Sequence, residues 1–231
     1  MKYLLTYDAP HRKTQDLLNL LKAQGHEDIT VLASRWQERA GFSPLVPHRP
    51  PLRCRIEAEP FTRRLGYRFE RVETRDLPAY FDRNPPELVL IGGAGILPAE
   101  VVECGKVINS HPAYLPFVRG LDALKWAIYD ALPIGVTTHI VDRETDAGFL
   151  LRQQMVPIYH WDTFHSLAFR QYEMEIELLA QSIADFQGPP LDRPYLDPGS
   201  HPVLLRMPHG HELRMLKRFQ DRVDSVAIPS A

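Results

Sequence analysis

Residues 109–111 read Asn-Ser-His and close the apolar run Val107–Ile108, and further along the chain Asp146 stands in Asp-Arg-Glu-Thr-Asp-Ala-Gly. An amide, an imidazole and a carboxylate can together serve reaction at a carbonyl carbon. Asn donates N–H to a developing oxyanion, and a protonated imidazole does so with charge assistance. A carboxylate beside the imidazole raises its affinity for a proton and can itself take one up. Such a set suits attack by a neutral amine on an acyl carbon. The pattern contains no evident nucleophile, which favours direct transfer over a covalent intermediate. Each residue also has a plainer reading: an Asn near a strand end is commonly a turn residue, and a lone His a satisfied polar group.

Elements able to position these residues are visible on either side. Residues 2–8 form an apolar strand pattern at the start of the chain, followed by a helical run over 13–25 with Leu17, Leu18, Leu20 and Leu21. Thr14 is the expected N-cap there and Gly25 the stop. A strand at 28–34 completes a β-α-β opening, which predicts a parallel sheet. From Trp36 to Pro60 the periodicity fails, with Pro44, Pro47, Pro50 and Pro51 in a long connection of the functional or mobile kind. Strand patterns follow at 67–73 and 87–93, with a short helix over 75–83 broken or started at Pro78. After a helix at 98–105, the strand 106–110 delivers Asn109 and His111 at its carboxyl end. Residues 120–131 have helical spacing, and 134–142 and 149–158 are strands flanking the loop that holds Asp146. The longest helix, 163–186, begins at Asp162 or Thr163 as cap, and a shorter one covers 211–223. The chain reads as one α/β domain over 1–186 with a short C-terminal extension over 187–231. Ligands bind beyond the carboxyl ends of parallel strands, so Asn109, His111 and Asp146 are expected to converge on one cleft.

Composition narrows the class. A formal charge of −2 over 231 residues argues against a domain built to hold nucleic acid. Cys54 and Cys104 match no metal or redox spacing and are expected as free thiols in a reducing compartment. No apolar stretch approaches the length of a membrane span, and the N-terminal run is too short for a signal peptide, so a cytoplasmic location is expected.

Taken together, Asn109-x-His111-Pro112, Leu115-Pro116-x-x-Arg119-Gly120 and Asp146-x-Gly148 resemble the folate-dependent formyltransferase family, from about Glu87 to about Pro157. The resemblance implies a Rossmann-like, mostly parallel sheet and formyl transfer from N10-formyltetrahydrofolate to an amine. It assigns Asn109 and His111 to the formyl oxygen and Asp146 to the histidine and to the amine's departing proton. The segment Leu90, Ile91, Gly92, Gly93, Ala94, Gly95, Ile96 and Leu97 matches the one whose backbone lines the pterin pocket in the family, where small residues let a flat ring approach. Arg119-Gly120 is expected to shape a loop or anchor it.

The acceptor is narrowed by likeness and exclusion. Glycinamide ribonucleotide enzymes carry a Gly-Ser-rich phosphate loop after the first strand, and here residues 6–16 contain no glycine. Methionyl-tRNA enzymes carry a larger C-terminal RNA-binding domain than residues 187–231 supply. What remains resembles the sugar N-formyltransferases. They act on a nucleotide-linked aminodeoxy sugar, such as a dTDP-sugar destined for lipopolysaccharide O-antigen. Small-molecule partners are expected, a reduced folate and a nucleotide-linked amino sugar, with no nucleic acid, membrane or metal; a homodimer is left open. A formyltetrahydrofolate hydrolase would use the same three residues with water in place of the amine.

Other residues keep two readings. His139 faces either the cleft or the core. Trp36, Tyr67 and Phe69 are a base platform or core aromatics. Arg53, Arg55, Arg63 and Arg64 meet a pyrophosphate or form a solvated face. His160, His165, His209 and His211 lack the spacing of a zinc site.

Overall fold

The computed structural model describes residues 1–36, 43–189 and 192–226. Its centre is a sheet of seven strands: β1 (Lys2–Tyr7), β2 (Ile29–Ser34), β3 (Arg68–Arg71), β4 (Leu88–Ile91), β5 (Val107–His111), β7 (Gly135–Ile140) and β8 (Phe149–Met155). They lie in the order β3-β2-β1-β4-β5-β7-β8. The first five are parallel, whereas β7 runs antiparallel to both β5 and β8. A mostly parallel sheet is thus what the sequence pattern called for. The antiparallel edge arises because the strands around Asp146 are joined by a short loop, and only antiparallel neighbours can be joined so briefly.

Helices cover both faces. On one, α1 (Arg12–Ala23) and α6 (Phe164–Asp185) pack Leu17, Leu18, Leu21, Ile176 and Leu179 onto Leu4, Leu90 and Ile108 of the sheet. On the other, α3 (Leu77–Arg83) and α4 (Ala99–Val102) lay Leu77, Phe81 and Val101 against Tyr3, Leu5, Val89 and Val107. Successive strand residues divide between these layers, which explains the near-continuous apolar runs. A third cluster gathers α5 (Ala123–Tyr129), the start of α6 and α7 (His209–Asp224) around Ile134, Val136, Met215 and Phe219.

Three local readings change. The connection from Trp36 ends in a helix that the sequence reading lacks, α2 (Ala58–Arg64), with Pro60 in its first turn, where a missing N–H costs nothing. A two-stranded ladder, β6 (Arg119–Gly120) with β9 (Val203–Leu204), is too short to leave a sequence period. Thr14 does not cap α1: the helix begins at Arg12 after an extended His11, and Thr14 Oγ1 lies 2.5 Å from Thr6 Oγ1 and 2.9 Å from His11 Nδ1. By contrast, Thr163 caps α6 as expected, in a reciprocal pair with Ser166, and Pro78 lies in the first turn of α3. Among the described residues no helix is long and apolar enough to cross a membrane.

Candidate active site

Alternation along β5 places Asn109 and His111 on one face and Ile108 and Ser110 on the other. The chain beyond His111 is then pinned. Thr137 Oγ1 accepts from the Leu115 N–H at 3.1 Å and donates to Ala113 O at 2.8 Å. Gln153 donates to Leu115 O at 2.6 Å, and Gln171 to Pro112 O at 2.9 Å. These polar groups, on β7, β8 and α6, satisfy a loop whose prolines leave it without a regular ladder.

Asp146 comes from the loop between β7 and β8, with φ of 50°, in the left-handed region that Asp tolerates better than most residues. Two residues hold it there. Arg119, 3% exposed, donates to Thr145 O at 2.9 Å, to Glu144 Oε1 at 2.6 Å and to His201 O at 3.0 Å. The Gly120 N–H donates to Asp146 Oδ2 at 2.7 Å. Gly120 has φ of 90°, and a Cβ there would lie 2.2 Å from Leu204 O. The Arg-Gly pair therefore anchors the loop, one of the two roles expected for it. Gly120→Ala should lower the melting temperature and turnover together, because strain of about 1–3 kcal/mol and the backbone clash both fall on the group that holds Asp146. Melting and turnover at wild-type values would remove that role.

The other oxygen of Asp146, Oδ1, lies 3.3 Å from His111 Nδ1. The two residues are thus brought together, with Asn109 two positions before the histidine on the same face. His111 is 6% exposed, and its Nε2 is buried without a hydrogen-bond partner. Burial lowers the imidazole's affinity for a proton, Asp146 pulls it back up, and the net direction is down. His139 sits on the same face, opposite Asn109 across the β5–β7 ladder, and is 1% exposed. Burial pushes it down to about 4 against the pull of Asp146.

Behind β5 stands a charged group that sequence reasoning missed. Glu175 of α6, 1% exposed, binds Lys13 at 2.8 Å and also Arg49, and Lys13 reaches Ser110 O at 3.4 Å. Burial raises the Glu175 carboxyl, but Arg49 and Lys13 outweigh it and hold the group down at about 2. Glu175 falls within an apolar helical stripe, and its partners are 126 and 162 positions away, so no local signal marks it.

Residues 90–97 comprise the end of β4 and the loop after it, where the strand order reverses between β1 and β4 and the sheet opens a crevice. The N–H groups of Gly92 and Gly93 both donate to Leu5 O at 3.0 Å, and Tyr7 Oη donates to Ala94 O at 2.7 Å. A Cβ on Gly93 would meet the Tyr7 and His11 rings at 2.8–2.9 Å, so the chain's own aromatics demand this glycine. Leu90 is a core side chain, whereas Ile96 is 96% exposed and Gly95 has open space beside it. Tyr67 and Phe69 are buried core residues; Trp36, 46% exposed, packs edge-on against Tyr7 at this same edge. Arg53, Arg55, Arg63 and Arg64 are exposed to solvent, and Arg63 pairs with Glu59.

An amide, an imidazole and a carboxylate thus gather at the carboxyl edge of a Rossmann-like sheet, a set suited to chemistry at a carbonyl carbon. The family model described as formyl transferase matches residues 4–183, and the chain belongs to that family. It is 35% identical over 107 residues to a methionyl-tRNA formyltransferase of Koribacter versatilis, covering 45% of this chain and 34% of that one. It is 31% identical over 84 residues to the dTDP-4-amino-4,6-dideoxyglucose formyltransferase of Mycobacterium tuberculosis, covering 36% of each. The matched stretch thus spans about a third of these curated relatives. The fold is shared with the crystal structure of a sugar N-formyltransferase from a Shewanella species, with a TM-score of 0.59 and 21% identity over 94% of this chain and 87% of the other.

Proposed function

We propose that this protein transfers the formyl group of N10-formyltetrahydrofolate to the primary amine of a nucleotide-linked aminodeoxy sugar. The observation that carries formyl transfer is the buried Nε2 of His111, unpartnered, with Nδ1 held against Asp146. A carbonyl oxygen would partner Nε2 once the ring is protonated, a state that Asp146 and the oxygen's growing negative charge favour against the burial that lowers its proton affinity. The exposed Gly95–Ile96 end of the 90–97 loop would meet a flat ring, so these residues fit such a donor. Bound there, the donor supplies an electrophilic formyl carbon on a nitrogen leaving group. Asn109 N–H and protonated His111 Nε2 hold the formyl oxygen as it gains charge. Asp146 steadies the imidazolium and receives the proton the amine must lose. One C–N bond forms to the amine and one breaks to the folate nitrogen, which ends with a proton.

The acceptor assignment is supported by three features. The shared fold covers 94% of the chain, including much of the segment after α6. The entry to α1 is Pro10-His11-Arg12-Lys13, without the glycines of a phosphate cradle. Trp36 offers an exposed ring at the same edge for a nucleotide base. The likeness to a methionyl-tRNA formyltransferase keeps that acceptor as the second reading.

A panel of nucleotide-linked amino sugars, glycinamide ribonucleotide and methionyl-tRNA, each with N10-formyltetrahydrofolate, separates the readings. The sugar nucleotides should be formylated, and truncation to the free amino sugar should lower kcat/KM by about 10²-fold or more, since remote binding positions the amine. Formylation of either other acceptor, with none across the sugar panel, would overturn the acceptor. Formate release indifferent to every amine would make the protein a hydrolase.

A further inference from the structure

The site contains a second buried imidazole that the proposed reaction leaves without a task. His139 Nδ1 lies 2.6 Å from Ala147 O. A carbonyl only accepts, so Nδ1 carries the hydrogen and the neutral ring presents a bare lone pair at Nε2. That Nε2 is buried without a partner, in a residue 1% exposed. Leaving such a buried acceptor unpaired is destabilising, so a donor is called for. Asn109 is the directly opposed residue on β5, on the same face. Opposed side chains start about 4.5–5.5 Å apart at Cβ, within reach of a carboxamide and an imidazole. The Asn109 side chain makes no hydrogen bond among the described residues.

We propose that His139 is a positioning residue for the oxyanion group: when the Asn109 carboxamide, unbonded here, turns to the opposed ring, it donates one N–H to His139 Nε2 and so aims the other at the formyl oxygen. Its Nδ1–H meanwhile holds Ala147, the neighbour of Asp146. One ring then ties two of the three reacting residues into a single unit. The catalytic consequence rests on the formyl-transfer reading; the hydrogen bond itself does not.

Two substitutions divide the ring's two jobs. His139→Asn keeps a donor near the Nδ1 position for Ala147 and removes the acceptor, whereas His139→Gln keeps an acceptor near the Nε2 position. His139→Asn should lower kcat by about 10²-fold with little change in KM, and His139→Gln should recover most of it. In an Asn109→Ala background His139→Asn should add little further loss, because its effect runs through Asn109. Full multiplication of the two losses, or wild-type kcat in His139→Asn, would overturn the proposal. Independently of turnover, the ¹⁵N spectrum of histidine-labelled protein should show His139 as the Nδ1–H tautomer with an Nε2 shift displaced by an accepted hydrogen bond. That displacement should vanish in Asn109→Ala; an unchanged Nε2 shift would refute the bond even if the variants of His139 fold poorly. A wild-type protein that formylates no amine would refute the formyl-transfer reading and leave the spectrum to decide the bond.

Discussion

His111→Ala should lower formyl-transfer turnover by about 10² or more, and Asn109→Ala and Asp146→Ala should fall in the same range. Among the described residues His111 alone offers a buried, unpartnered Nε2 backed by a carboxylate at 3.3 Å, so none of them is placed to take over its role. The three losses should not add, since the groups act as a unit. Asp146 needs a second control because its Oδ2 also receives the Gly120 N–H. Asp146→Asn keeps an oxygen for that bond and removes the charge, so its turnover reports the chemistry and its melting temperature the anchor. Wild-type turnover in folded Asp146→Asn and Asp146→Ala proteins would remove Asp146 from the proposed mechanism.

Glu212→Ala should be the most destabilising single change away from the site. Lys125 and Glu212 are both fully buried, with Nζ to Oε1 at 2.5 Å, and Asp122 lies 3.5 Å from the same Nζ. Glu212 Oε2 also accepts the Leu45 N–H at 2.9 Å. Removing one partner of a buried pair costs about 3–5 kcal/mol, because the remaining charge stays in the core. For a chain of this size that corresponds to a melting shift of roughly 6–20 °C. A melting curve within a degree or two of wild type would show that Asp122, already 3.5 Å from Nζ, or entering water satisfies Lys125 once the Glu212 carboxylate is gone.

Periodicity and local motifs made much of this molecule legible. The apolar runs ending at Tyr7, Ile91 and His111 marked strands buried on both faces, and their carboxyl ends do line one edge. Asn109, His111 and Asp146 were legible because strand ends and the loop between two strands are where such a sheet exposes polar groups. What escaped was long-range pairing. Nothing near Glu175 or Glu212 announces that a carboxylate within a helical pattern meets cations from distant elements. Thr14 has the composition of a cap, but tertiary bonds to Thr6 and His11 claimed its oxygen. His139 stayed undecided because strand alternation gives two faces without saying which is the cleft; the antiparallel register with Asn109 decides it.

The Lys125–Glu212 pair has a consequence for how the protein is made. Translation proceeds from the N-terminus, so the ammonium that ends in the core is synthesised 87 residues ahead of its carboxylate, and Leu45 precedes it by 167. At roughly 5–20 residues per second, the first interval alone takes about 4–17 s on the ribosome. Throughout it the nascent chain holds a hydrated lysine where the finished molecule has a dry one, and the layer beneath α5 cannot close. The α7 helix, which emerges long after α5, is therefore the one that completes this part of the interior, so here the order of synthesis and the order of consolidation coincide.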